Sequence, residues 1–252
     1  MMIQILGWVA RLRVALLTMA LLTAVALQVL LRNTENGLGL RLAAGIVPPI
    51  AFILCSAFAA RFFHPAKLVA RPEVPAFDVP ANPTVVLASI GYTFFAVLMV
   101  SGLVRDIAAD EELWWFPAIL AILVAGQLAA FWSSALGRFG ARLTPDGIEF
   151  RELFGSRFTP WDALATPLAA YPHDAQQVTL HLAHPELVRR RGLRHTSPTS
   201  LPAAGVDAEF LARAIHEYAN RADLRPAIGS TAELERFLAI PQIDDIATRA
   251  PN

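Results

Sequence analysis

The sequence predicts an α-helical membrane domain of four spans, followed by a small α+β domain of antiparallel strands with a C-terminal helix. Three observations carry this expectation. Hydrophobic residues make up 55% of the 252 and charged residues only 17%, against roughly 45–50% and 25% in ordinary soluble chains. The charges are unevenly spread: residues 1–136 hold 8 basic and 7 acidic side chains, whereas 137–252 hold 13 and 14. Within the first half, four long stretches between charged residues carry no charge at all.

Those stretches are residues 14–31, 42–60, 84–104 and 113–137, of 18, 19, 21 and 25 residues. A helix rising 1.5 Å per residue needs about 20 residues to cross a hydrocarbon core of about 30 Å. Arg11 and Arg13 could head a signal peptide, but 18 apolar residues exceed the usual h-region of roughly 7–15. No small-x-small cleavage site follows, so a retained anchor is expected. None of the four stretches contains Asp, Glu, Lys, Arg or His, the residues that build proton relays and ion pathways inside membranes. The consecutive prolines Pro48 and Pro49 remove two backbone donors and should break or kink the second span. Gln28 and Gln127 are placed to hydrogen-bond between helices. Trp114 and Trp115 fall where an interfacial aromatic belt belongs.

Orientation follows the basic residues near span ends. One side collects Arg11, Arg13, Arg61, Lys67, Arg71, Arg138 and Arg142, the other Arg32, Arg41 and Arg105. Seven against three puts both termini in the cytoplasm of a multi-pass inner-membrane protein, with the acidic loop of Asp106, Asp110, Glu111 and Glu112 outside. The loop 62–82, with Pro65, Pro72, Pro75 and Pro80, reads as an extended connection without regular structure.

From Leu143 the pattern shifts to a period of two. Pro145, Asp146 and Gly147 make a turn, because proline presets φ and Asp-Gly supports a tight reversal. Ile148 and Phe150 then alternate with Glu149 and Arg151 as a half-buried strand does. Phe154, Gly155 and Ser156 turn the chain back toward Trp161, giving a hairpin. Residues 164–171 and 177–183 are further strand candidates. Asp207 is placed to cap a helix over 207–220. There Phe210, Leu211, Ala214, Ile215 and Tyr218 share one face. The small domain is expected over 139–240, with 241–252 as a flexible tail.

Leu143, Thr144, Gly147 and Ile148, then Phe154 and Gly155, then Pro160, Trp161 and Leu164, resemble in order and spacing the opening of bacterial pleckstrin-homology-like domains. The helix at 207–220 with Arg225, Ile228, Gly229, Ser230, Glu233 and Leu234 is similar to the tail of actinobacterial membrane proteins that carry such a domain. The resemblance implies an antiparallel β-barrel or sandwich closed by a C-terminal helix. It gives Gly147, Gly155, Pro160 and Trp161 structural duties: the glycines in turns, the proline at the entry of a strand, the tryptophan as a large aromatic of the core or its rim. It implies no enzymatic activity. In eukaryotic relatives a basic loop between the first two strands binds phosphoinositides. The corresponding turn here has only Arg151 and Arg157 nearby, opposed by Glu149 and Glu152, which argues against that ligand.

Charge and motif searches narrow the function further. A net charge of zero lacks the basic signature of a nucleic-acid binder. A single cysteine, Cys55, permits no internal disulfide and no cysteine-based zinc site. His181 and His184 stand three apart near Glu186, but rings three apart on a strand face opposite ways, so no metal is assigned. No nucleophile elbow, phosphate loop, dinucleotide fingerprint or zinc-protease motif occurs; the expectation is a protein without cofactor or catalytic residue. The strongest charged feature is Arg189, Arg190 and Arg191 with Arg194 close behind. Such clusters attract anionic headgroups, otherwise forming a solvated loop. The resulting expectation is a membrane-anchored binding or scaffolding module whose small domain contacts membrane lipids or a protein partner. A subunit of a transport or channel assembly, formed as a homo-oligomer around a path, is the alternative.

Overall fold

In the computed structural model, residues 2–31, 37–109, 115–137, 139–152, 155–192 and 197–240 are described. The expected tail 241–252, the acidic positions 110–112, Trp114, Arg138, Phe154 and Arg194 lie outside them. The chain divides into two units, one of residues 1–63 and 81–138, the other of residues 64–80 and 139–252.

The first unit is helical: α1 (Met2–Arg11), α2 (Arg13–Leu30), α3 (Gly37–Phe62), α4 (Pro83–Ala108) and α5 (Trp115–Leu136). Four of these, α2 through α5, contain segments long and apolar enough to cross a membrane. Their bounds follow the chemistry of the sequence. Asn82 caps α4 by accepting from the Thr84 amide at 2.9 Å, and Pro83 occupies the first helical position, where a missing amide hydrogen costs nothing. Arg13 donates from Nη1 to the carbonyls of Ala135 and Gly137 at 3.1 and 3.2 Å, satisfying acceptors left free at the end of α5. Of the break or kink expected at Pro48 and Pro49, the break does not occur: α3 runs through the pair as one helix of 26 residues. Gly91 of α4 explains how the site is packed, since a Cβ there would come within 2.9 Å of Phe52 Cβ and 3.2 Å of Pro49 Cα. Small residues let helices approach this closely.

Neutral hydrogen bonds join the helices. Ser89 Oγ lies 3.2 Å from the Phe131 carbonyl, Trp132 Nε1 donates to Thr93 Oγ1 at 3.1 Å, and Tyr92 donates to Gln127 Oε1 at 3.0 Å. Ser101 reaches Gln28 Oε1 at 3.5 Å. Both glutamines therefore contact neighbouring helices as the sequence suggested.

The second unit is an antiparallel β structure with helices at its end. A six-stranded sheet has the order β1-β2-β3-β4-β5-β8, from β1 (Val69–Arg71), β2 (Ala76–Asp78), β3 (Gly140–Thr144), β4 (Gly147–Glu152), β5 (Gly155–Pro160) and β8 (Arg189–Gly192). A three-stranded sheet has the order β6-β7-β9, from β6 (Ala170–Asp174), β7 (Gln177–Leu180) and β9 (Ser200–Pro202). The core between them holds Phe77, Leu143, Ile148, Phe150, Val178, Leu180 and Leu201. It is closed by α6 (Ala208–Asn220) and α7 (Thr231–Leu238). Asp207 caps α6 through the Phe210 amide at 2.8 Å, as expected. Phe237 of α7 packs edge-on against Phe210 at 5.4 Å between centroids.

Three further stretches depart from what the sequence suggests. The proline-rich loop is not an unstructured connection. It forms the β1–β2 hairpin, whose β2 pairs with β3 through Phe77 opposite Leu143 and Asp78 opposite Arg142. The stretch 164–171 is not one strand: Trp161–Ala163 is a 3₁₀ turn, Leu164 makes a single bridge to Leu182, and β6 starts only at Ala170. The arginine run is not a loop but the edge strand β8.

Candidate functional site

Thr144, Gly147, Pro160 and Trp161 form one connected structural corner. Thr144 Oγ1 contacts the Gly147 carbonyl at 2.8 Å and the Gly147 amide at 3.2 Å, closing the β3–β4 turn. Gly147 has no room for a side chain: a Cβ would lie 2.8 Å from Pro160 Cα and against the Thr159 carbonyl. Pro160 does not enter a strand as expected; it ends β5 and leads into the 3₁₀ turn that carries Trp161. The Trp161 ring is 2% exposed, and its Nε1 donates to the Thr144 carbonyl at 3.0 Å. Arg225 lies over that ring at 5.8 Å while its guanidinium donates to the Tyr218 and Ala219 carbonyls at the end of α6. Gly155 opens β5 opposite Glu152. Gly147 and Trp161 are buried, and Gly155 and Pro160 half-buried.

A second polar cluster is also structural. Tyr218 is fully buried and donates to Glu233 Oε1 at 3.1 Å, and Arg236 holds both oxygens of the same carboxylate at 2.8 Å. Burial, reinforced by the Glu233 charge, pushes the Tyr218 phenol well above the ordinary tyrosine value. The hydrogen bond with Glu233 holds Arg236 above the ordinary arginine value.

The charged surface is decided by strand parity. Residues directly opposite in an antiparallel sheet share a face, and alternate residues change face. Arg157 pairs with Phe150 and Arg190, on the core side. It is 7% exposed, stacks over Phe150 at 5.5 Å and donates to the Ser197 and Ser200 carbonyls at 2.5 and 2.8 Å. It is a core cation, unavailable to a ligand. Arg190, beside it, is only half-buried. The other face carries Arg71, Asp78, Arg142, Glu149, Arg151, Arg189 and Arg191, five arginines against two carboxylates. Asp78 holds Arg71 at 2.5 Å and Arg142 at 2.6 Å, and this bond raises the Arg142 pKa. Glu149 lies 2.8 Å from Arg151. Both acids are thus taken up within the sheet. Among the described residues no carboxylate pairs with Arg189 or Arg191, and both are exposed.

The structure therefore separates the expected cluster. Arg189 and Arg191 point together from an edge strand, Arg190 points to the opposite face, and Arg194 is outside the described residues. Arg151, two strands away and opposite Ser156 and Arg191 in register, joins them at a spacing of roughly 10 Å. In the sequence it stands close to Arg157; only the register assigns the two to different faces. Among the described residues no three His, Cys, Asp or Glu converge as metal ligands. His184 instead contacts Glu186 at 3.1 Å and His181 contacts the Leu168 carbonyl at 3.0 Å. Comparison with protein families, curated proteins and solved structures finds no match.

Proposed function

We propose that this is a multi-pass membrane protein whose second unit is a pleckstrin-homology-like binding module that docks its basic sheet face on an anionic surface, foremost the lipid headgroups of its own membrane. The carrying observation is the pair Arg189 and Arg191, exposed and, among the described residues, without an ion-pair partner, beside Arg151 on a face where both acids are already engaged. Cations near an anionic membrane gain about 1 kcal/mol each, and an edge strand holds them without cost in side-chain pairing.

Connectivity supports the membrane reading. The second unit is assembled from residues on either side of α4 and α5, so both of its segments must emerge on one side of a bilayer. Two crossings between them meet that condition. The antiparallel two-sheet core closed by α6 supports the pleckstrin-homology-like assignment, with the Thr144–Gly147–Trp161 corner giving its motif a physical role. The neutral hydrogen bonds between helices support anchoring rather than ion passage. The module remains cytoplasmic in this reading.

The test is hydrogen exchange on the full-length protein in nanodiscs. With phosphatidylglycerol present, β8 and the outer face of β4 should gain protection over discs of neutral phosphatidylcholine, and the gain should fade as salt shortens the Debye length from about 10 Å at 0.1 M. Arg189→Glu with Arg191→Glu should abolish it. Equal protection in neutral discs contradicts lipid docking and leaves an acidic protein partner as the ligand.

A further inference from the structure

Between α2, α4 and α5 lies a cavity of about 480 Å³, within the roughly 300–1,000 Å³ of small-ligand sites. Its walls are apolar, with Val25 from α2, Val100 from α4 and Leu128 from α5. Val25 and Val100 are 45% and 43% exposed, so the cavity opens sideways from the helices. Its polar groups are Gln28, Ser101 and Arg105, toward the C-terminal ends of α2 and α4. Gln28 is buried and already accepts from Ser101. Arg105 is half-buried in the last turn of α4, and among the described residues no carboxylate pairs with it. Asp106 follows it on α4, but adjacent helical residues do not face each other.

The length of the cavity is informative. Its lining runs from Leu21 to Val29 and from Ala96 to Arg105, a rise of roughly 12 and 14 Å. Half of a ~30 Å hydrocarbon core is about 15 Å. The groove thus matches the depth of one leaflet, is apolar along that depth, opens laterally and ends at a cation. Trp115, exposed at the start of α5, marks the same end with an aromatic of the kind enriched at membrane interfaces.

Building on the reading that these helices span a membrane, we infer that this cavity is a phospholipid site, with one acyl chain along Val25, Val100 and Leu128 and the headgroup phosphate on the Arg105 guanidinium. The chain supplies apolar contact and the phosphate a charge-assisted hydrogen bond. Neither a free phosphate nor a neutral diglyceride offers both.

The experiment uses full-length protein. Recovery outside the membrane fraction sinks the membrane reading itself. Protein recovered from membranes is purified in mild detergent and examined by native mass spectrometry with added phosphatidylglycerol, phosphatidylethanolamine or dioleoylglycerol. One phospholipid per chain should be retained, with dioleoylglycerol bound at least tenfold more weakly, the ratio a lost charge-assisted hydrogen bond sets. Arg105→Ala should weaken phospholipid retention by a similar factor and Arg105→Lys should largely restore it. Val100→Trp, which fills the groove and leaves the charge, should also weaken it. Equal binding of dioleoylglycerol by the unmodified protein removes the phosphate contact and overturns the inference without any variant. Wild-type retention by both Arg105→Ala and Val100→Trp overturns it too. So does a change of oligomeric mass in Val100→Trp with lipid retention intact, which would make the groove a helix-packing face.

Discussion

Replacing Phe77 by alanine tests whether the second unit depends on the hairpin at 69–78. The ring is fully buried among Leu68, Leu143 and Tyr218, its centroid 6.0 Å from the tyrosine ring. It sits opposite Leu143 in the β2–β3 register. Emptying a buried phenylalanine site costs about 3–5 kcal/mol, against a total of about 5–15 kcal/mol for a domain. For a unit of this size the loss corresponds to a fall in Tm of roughly 10–20 °C. Removing the whole hairpin is more severe. It strips Leu68 and Phe77 from the core and takes Asp78 from Arg142, whose side chain is only 12% exposed. A fragment beginning at residue 139 should accordingly be digested rapidly, whereas residues 64–80 joined by a short linker to 139–240 should give a resistant core. Limited proteolysis with mass spectrometry reads both results. Undiminished resistance in Phe77→Ala, or in the fragment without the hairpin, would refute the claim that the domain is discontinuous.

Two further perturbations follow from the same core. Trp161→Ala removes a ring that is 2% exposed together with its bond to the Thr144 carbonyl and should cost about 3–5 kcal/mol, while Trp161→Phe should cost less; thermal unfolding followed in the second unit compares them, and an unchanged Tm for the alanine variant would mean that the ring is solvent-facing. Tyr218 sets an alkaline limit: its folded pKa is raised by burial and by Glu233, so its contribution is complete below the unfolded tyrosine value of about 10 and is lost as pH rises above it, because the unfolded chain ionises there first. Unfolding midpoints between pH 9 and 11 should fall less steeply in Tyr218→Phe than in the unmodified protein, and identical slopes would contradict the burial of the phenol.

Much of this architecture is legible in the residues themselves. The four apolar stretches predict α2 to α5 to within a few residues, because length and the absence of charge are properties of the segment alone. The same holds for the Asp207 cap and for the buried face of α6. The β1–β2 hairpin is not legible. Its strands have three residues each, are bracketed by prolines, and exist through pairing with β3, which lies about 60 residues onward in the sequence. A three-residue strand has no period to detect. The arginines show the same division. Their clustering is visible in the sequence, whereas their assignment to faces needs a register. Arg157 and Arg151 look equivalent as letters, yet one lies under the sheet bonded to Ser197 and Ser200 and the other stands outside it. Parity also splits Arg190 from Arg189 and Arg191. Pro48 and Pro49 show the converse: local chemistry argues for a broken or kinked helix, yet α3 continues through the pair, with Gly91 of α4 packed close against Pro49.

In the proposed topology α4 and α5 cross a membrane and return the chain to a domain already begun on the same side. Single cysteines at Glu73→Cys, Asp223→Cys and Ala109→Cys, each in a Cys55→Ala background, measure it directly. All three positions are exposed in the structure, the first two in the second unit and the last at the far end of α4. In sealed vesicles of one orientation, a membrane-impermeant maleimide should label Glu73→Cys and Asp223→Cys together and leave Ala109→Cys unlabelled until the membrane is opened, or the reverse in vesicles of opposite orientation. Labelling of Glu73→Cys and Asp223→Cys from opposite sides would contradict the account.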